Sequence, residues 1–140
     1  MLAAALAAIA GAGIAVEAAS PFVDSAPMGP SRRRYANAAA AIATSLGPED
    51  LLVLLQRIEG AFGRRRSGRR WRARVLDLDI VLWSGGPYVS DGLTVPHPAF
   101  RERRFVLGPA TQVARGWRDP VSGLTISQLK ARLTRPTPLA

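Results

Sequence analysis

In the stretch RVLDLDIVLW, residues 74–83, two carboxylates, Asp77 and Asp79, stand one residue apart inside an apolar run. If the stretch is a strand, its side chains alternate between two faces. Leu76, Leu78, Ile80 and Leu82 then share the side that can join a core, and Asp77 and Asp79 share the other. Their Cβ atoms would lie roughly 6 to 7 Å apart, twice the strand rise. Two like charges that close are unfavourable unless something positive lies between them. A hard cation held by carboxylate and phosphate oxygens answers this, and magnesium usually binds that way. A plainer answer is that each aspartate pairs with an arginine from the neighbouring segment, and spacing alone leaves both open.

The neighbouring segment sharpens the choice. Seven arginines lie between positions 64 and 74, and no acidic residue lies between 60 and 76. Arginine is always charged, and its planar fork of donors suits phosphate oxygens. A D-x-D strand beside a basic, glycine-punctuated loop therefore makes a sensible nucleotide triphosphate site, in which the loop closes over the reaction. The rival is a nucleic-acid patch with Trp71 as a stacking residue. The aspartates would repel a phosphate backbone there unless metal ions intervened. His97 is the only histidine. A lone histidine is usually structural, but this one sits in LTVPHPAFRERRF, between prolines and ahead of Arg101, Arg103 and Arg104, a setting that favours a phosphate contact. Gln56 and Glu59 are three apart on an expected helix and would sit side by side.

The elements that must carry these residues can be read in outline. The chain has 140 residues, enough for one domain with a real core, and 48% of them are apolar. The formal net charge is +9, with Lys130 the single lysine, and there is no cysteine to build a disulfide or thiolate metal site. The N-terminal MLAAALAAIAGAGIAVEAAS lacks a basic region, is interrupted by Glu17, and is too weakly hydrophobic to span a membrane. It reads as an Ala-rich helix to about Ala10, a turn, and a strand near 13–20. Residues 21–34 read as a loop, with three prolines and a glycine. Residues 35–46 are ambiguous: alanine favours a helix, while the alternation of Tyr35, Asn37, Ala39 and Ala41 favours a strand.

The spacing predicts a helix over about Pro48–Phe62. Proline opens it, Glu49 and Asp50 favour its positive end, Leu51, Leu54, Leu55, Ile58 and Phe62 make one apolar face, and Gly63 is suited to end it. A basic loop over 63–73 precedes the D-x-D strand. Residues 88–98 read as a short strand, a turn and an extended piece. One or two short helices broken at Pro109 follow, then a turn and a last helix whose Thr125 and Gln128 have capping-box spacing. The tail from Thr134 is expected to fray.

Taken together, these residues resemble the 6-hydroxymethyl-7,8-dihydropterin pyrophosphokinase family of folate biosynthesis. The matching motifs are APMGP (26–30), YANA (35–38), QRIE (56–59), GRRRSGRRWRARVLDLDI (63–80) and LTVPHP followed by RERRF (93–105), covering about residues 5 to 130. The resemblance implies an α/β (α+β) fold, a ferredoxin-like sandwich with a central antiparallel sheet flanked by helices, and a strand over 35–44. It implies a single domain, 1–140, acting as a magnesium-dependent diphosphotransferase in the cytoplasm. The reaction implied is transfer of pyrophosphate from ATP to 6-hydroxymethyl-7,8-dihydropterin, leaving AMP. Asp77 and Asp79 would hold two Mg2+ ions, with Arg64 and Arg74 as the other catalytic residues. Gln56, Glu59, Arg66, Arg70, His97 and Arg103 would contact ATP. Ser25, Met28, Tyr35, Asn37, Trp71 and Phe105 would line the pterin pocket. Partners are these small molecules only, with no nucleic acid and no membrane, and a monomer is expected.

The chain departs from the family's pattern at its start. Members begin with a strand and a Gly-Ser-Asn loop ahead of the first helix, whereas this sequence starts inside that helix, so the first strand is expected to be missing. Two other function classes stay open: an inactive truncated homologue that still binds nucleotide, and a basic nucleic-acid-binding module.

Overall fold

The computed structural model describes residues 2–25, 35–65 and 76–134. In chain order its elements are α1 (Leu2–Gly11), β1 (Ala15–Ala19), β2 (Val23–Ser25), β3 (Tyr35–Asn37), β4 (Ala40–Ala43), α2 (Pro48–Arg65), β5 (Tyr88–Ser90), β6 (Leu93–Val95), a 3₁₀ turn (Phe100–Glu102), α3 (Arg104–Ala114) and α4 (Ile126–Thr134). This is a mixed α/β fold with small antiparallel ladders, the class expected from the sequence. Among the described residues the strands form three two-stranded sheets, β1 with β4, β2 with β3, and β5 with β6. The chain groups into two compact units, residues 1–17 with 42–97, and residues 18–41 with 98–140.

The first unit is organised by α2. Leu51, Leu55, Ile58 and Phe62 recur on one side of it and are buried against Ala5 and Ile9 of α1, Ile14, and Leu76 of the D-x-D segment. Each such aliphatic or aromatic side chain contributes about 1.5–3 kcal/mol relative to exposure. The helix starts as its sequence demands: Pro48 needs no donor, and the Leu51 N–H donates to the Gly47 carbonyl at 2.9 Å. It does not stop at Gly63, however, but runs to Arg65. Gly63 keeps a helical backbone, whereas Gly13, just after α1, takes φ of +92° and ends that helix in the left-handed region.

Two further expectations are corrected in this unit and the next. Residues 76–83 carry the expected alternation, Leu76 buried and Asp77 and Asp79 exposed, but are not in a ladder among the described residues. Periodicity assigns faces; a strand also needs a partner, and none of the three described sheets includes this stretch. In the second unit the expected loop after Ser20 contains β2, which pairs antiparallel with β3 so that Val23 faces Asn37 and Ser25 faces Tyr35. Residues 35–43 are extended, as the resemblance implied, with a break at Ala38 and Ala39. There the buried Ser20 takes over: its N–H donates to the Ala39 carbonyl at 2.8 Å, and its Oγ accepts from the Ala39 N–H at 2.8 Å.

The second unit is completed by α3 and α4, which pack together, and by contacts of α3 with β2 and β3. Its buried side chains include Phe100, Leu107, Pro109, Ala110, Ile126 and Leu129. Pro109 does not break the helix, as the sequence suggested, but lies inside α3. It removes the usual donor to the Phe105 carbonyl four residues earlier. Burial of Leu107, Pro109 and Ala110 offsets that loss. The capping box forms as expected: the Gln128 N–H donates to Thr125 Oγ1 at 3.1 Å, and the Thr125 N–H to Gln128 Oε1 at 2.9 Å.

Candidate active site

In the first unit the acidic pair is set by what lies between its members. Leu78 and Ile80 pack toward the core, so Asp77 and Asp79 project the opposite way, both exposed. The Leu78 N–H, midway between them, donates to Glu59 Oε2 at 2.6 Å. A main-chain amide that lacks a ladder partner among the described residues is thus held by a carboxylate from α2. Hydrogen bonds to ionised acceptors are shorter and stronger than neutral ones. Gln56, one turn earlier on α2, is exposed. The His97 N–H donates to the Val81 carbonyl at 3.0 Å, which ties the histidine's backbone to the same segment two residues beyond Asp79. Five of the residues singled out, Gln56, Glu59, Asp77, Asp79 and His97, therefore fall in one unit, linked by two hydrogen bonds to the stretch 78–81.

The hairpin β5–β6 that leads to His97 is braced at its start. The Tyr88 hydroxyl donates to Glu49 at the beginning of α2, and Trp83 meets the Tyr88 ring edge to face at a centroid distance of 6.1 Å. The Glu49 carboxylate holds the phenol proton and raises the Tyr88 pKa above 10.0.

The second unit carries the other set. Ser25 and Tyr35 pair at the end of β2–β3 where the chain leaves one strand and re-enters the other, and Asn37 is half-buried two residues on. Because α3 packs against both strands, the helix that begins Arg104-Phe105 lies beside the hairpin bearing Tyr35 and Asn37. Phe105 is half-buried, and the Arg103 guanidinium carbon sits 5.6 Å from its ring centroid, a cation–π distance. A residue expected at phosphate and one expected at the pterin thus touch through their side chains.

Sequence reasoning missed the ion pair behind them. Arg101 Nε donates to Asp119 Oδ2 at 2.5 Å and Arg101 Nη2 to Oδ1 at 2.7 Å, a two-pronged contact on a carboxylate with no exposed surface. The Arg101 fork lowers the Asp119 pKa well below the usual carboxylate range; burial opposes this, and Ser122 and the Val121 N–H assist it. Asp119-Pro120-Val121-Ser122-Gly123 has turn composition, but nothing in the sequence names Arg101 as its partner.

Met28, Arg66, Arg70, Trp71 and Arg74 lie outside the described residues. Arg64, expected in the basic loop, belongs to the last turn of α2 instead, because the helix continues through Gly63. Among the described residues no three acidic or histidine side chains cluster as a metal cage. The two aspartates suit a cation shared with a phosphate-bearing ligand rather than one enclosed by protein.

Comparison with known proteins matches residues 1–115 to the family described as 7,8-dihydro-6-hydroxymethylpterin-pyrophosphokinase (HPPK). The chain belongs to this family. HPPK relatives are similar along most of it. The 2-amino-4-hydroxy-6-hydroxymethyldihydropteridine pyrophosphokinase of Synechocystis is 42% identical over 118 residues, 84% of this chain and 60% of the relative. That of Haemophilus influenzae is 45% identical over 96 residues, 68% of this chain and 59% of the relative. That of Methylorubrum extorquens is 38% identical over 122 residues, 86% of this chain and 75% of the relative. The chain thus spans about 60% of the length of the first two. Among the described residues no helix is long and apolar enough to cross a membrane.

Proposed function

We propose that this HPPK-family chain transfers pyrophosphate from ATP to 6-hydroxymethyl-7,8-dihydropterin, releasing AMP. The observation that carries this reading is the outward-facing pair Asp77 and Asp79, with the amide between them held by Glu59. The pterin hydroxymethyl oxygen attacks the β-phosphorus of ATP. The bond from that phosphorus to the oxygen bridging it to the α-phosphorus breaks, and AMP departs with the bridging oxygen. The hydroxyl proton is lost in the same step, with the Asp79 carboxylate as acceptor.

Little covalent work falls to the protein, so positioning and neutralisation of charge carry the rate. Asp77 and Asp79 would hold two magnesium ions, whose chemistry is to neutralise the triphosphate and polarise its phosphorus–oxygen bonds. Arg103 and His97 bind phosphate oxygens, Gln56 and Glu59 lie along the nucleotide, and Arg64 and Arg74 are the other catalytic residues. Arg66 and Arg70 contact ATP, and Trp71 contacts the pterin. Ser25, Met28, Tyr35, Asn37 and Phe105 form the pterin pocket. The protein acts as a monomer in the cytoplasm, and its sedimentation at micromolar concentration checks the first of these.

The test is AMP release from ATP that requires both hydroxymethyl-dihydropterin and Mg2+. Asp77→Ala and Asp79→Ala should each abolish it while leaving the circular dichroism spectrum unchanged. Either variant turning over at a near-normal rate sinks the assignment of the aspartates. ATP binding without pterin-dependent turnover would instead leave a nucleotide-binding homologue. A steep salt dependence of nucleic-acid binding with no response to pterin would leave the basic binding module.

A further inference from the structure

The turn after α3 lies beyond residue 115, where the match to the family model ends. Asp119 is its hub. Besides the two contacts from Arg101, its Oδ2 accepts from Ser122 Oγ at 2.7 Å and its Oδ1 from the Val121 N–H at 3.1 Å. Its own N–H donates to the Leu124 carbonyl at 2.8 Å, and its carbonyl accepts from the Gly123 N–H at 2.7 Å. Gly123 has φ of +78°, which closes the turn in a conformation side chains rarely adopt. Every hydrogen-bonding group of this buried residue except spare lone pairs is used, so its position is strongly determined.

The other end of the contact is in the 3₁₀ turn. Arg101 lies over the buried Phe100 ring at 4.8 Å, and the Arg103 N–H donates to the Phe100 carbonyl at 3.3 Å. The Arg103 carbonyl then accepts from the N–H groups of Val106 and Leu107, at 3.0 and 2.9 Å, to start α3. That start is weakly held by its own means. No side chain caps the helix at Arg103, and Pro109 withholds the donor for the Phe105 carbonyl. The backbone from which Arg103 and Phe105 project therefore takes its placement from the turn before it.

We infer that Asp119, acting through Arg101, is a positioning residue that sets the backbone of Arg103 and Phe105, so that the turn 119–123 supports the nucleotide and pterin contacts from behind them. This rests on the proposed function for its catalytic consequence and on the unit's own geometry for the rest. A pair that merely stabilised the fold would leave the Michaelis constants of the folded fraction alone.

The experiment uses the full chain with three changes: Asp119→Asn, Arg101→Lys, and the double replacement Arg101→Met with Asp119→Leu. Arg101→Lys keeps the charge and loses the two-pronged geometry. The double replacement substitutes an apolar pair of similar size, which is often neutral or stabilising. Thermal midpoint, KM for ATP and pterin, kcat, and amide exchange of residues 103–107 are measured for each. The expected result is KM for ATP raised about tenfold by each change, with a smaller change in kcat. Amide exchange should quicken at 103–107 and stay unchanged in α2, and the double replacement should recover the midpoint without recovering KM.

Wild-type KM in any of the three folded variants overturns the inference, as does exchange that is unchanged at 103–107 or that rises equally in α2. If Asp119→Asn fails to fold, the other two variants decide. If the unaltered chain shows no pterin-dependent AMP release, the proposed function falls by itself, and the exchange measurement alone decides whether Asp119 sets the backbone of 103–107.

Discussion

Glu59 offers the sharpest quantitative test, because one carboxylate oxygen is assigned to one amide. Its Oε2 accepts from the Leu78 N–H at 2.6 Å, at a half-buried position between the core and the exposed aspartates. A hydrogen bond to an ionised acceptor contributes about 1.5–3 kcal/mol net, against about 0.5–1.5 kcal/mol for a neutral one. Glu59→Gln keeps an acceptor in place and should cost about 1 kcal/mol. Glu59→Ala leaves the Leu78 donor without its acceptor and should cost about 2 kcal/mol, the middle of the range for an unsatisfied group. For a chain of this size these are about 4 and 8 °C in thermal midpoint. Urea unfolding gives the free energies, and amide exchange at Leu78 reports the bond directly. Because the same amide fixes the backbone between Asp77 and Asp79, the order of catalytic loss should repeat the order of stability, wild type above Gln above Ala. The reasoning is refuted if both variants stay within about 0.5 kcal/mol of wild type, the usual range for surface changes, or if Gln loses as much as Ala.

Other outcomes are expected elsewhere in the chain. Thr125→Ala removes one half of the reciprocal capping box and should cost about 1 kcal/mol in urea unfolding, with no change in KM. Asp119 has a folded pKa below its unfolded one, so its contribution is fully present above the unfolded value, about pH 4, and is lost progressively as pH falls through the folded value. Acid unfolding of Asp119→Asn should lack that part of the pH dependence, and an identical acid profile would remove the ion pair from the account. Leu107 is fully buried, so Leu107→Ala should cost about 2–5 kcal/mol, read as a lower urea midpoint.

Much of the local structure was legible because local rules govern it. Pro48, the acidic pair after it and the spacing of Leu51, Leu55, Ile58 and Phe62 determine α2, and Thr125 and Gln128 announce α4. What escaped depends on residues far apart. The faces of 76–80 follow from alternation, but the ladder expected there requires a neighbouring strand that alternation cannot supply. Val23-Asp24-Ser25 is too short to stand out, and it is a strand only because Tyr35–Asn37 returns beside it. Gly63 and Pro109 are helix breakers by residue type, yet both lie within helices, where burial of neighbours such as Phe62, Leu107 and Ala110 outweighs a local cost of about 1 to 3 kcal/mol. For the site, residue types pointed to phosphate and metal chemistry and the resemblance supplied the roles. The link from Glu59 to Leu78 and the pairing of Arg101 with Asp119, eighteen positions apart, came only with three dimensions.

Pro109 has an effect on the order in which α3 comes apart. Every helix frays, but this one lacks a main-chain rung one turn from its front and has no side chain to cover its opening amides. Warming should therefore unravel it from Arg104 onward into its middle, while Leu107 and Ala110 keep the remainder seated. The aromatic ring of Phe105 would lose its place before the helix as a whole loses its shape, so affinity for a flat substrate should fade at temperatures where the protein still looks folded.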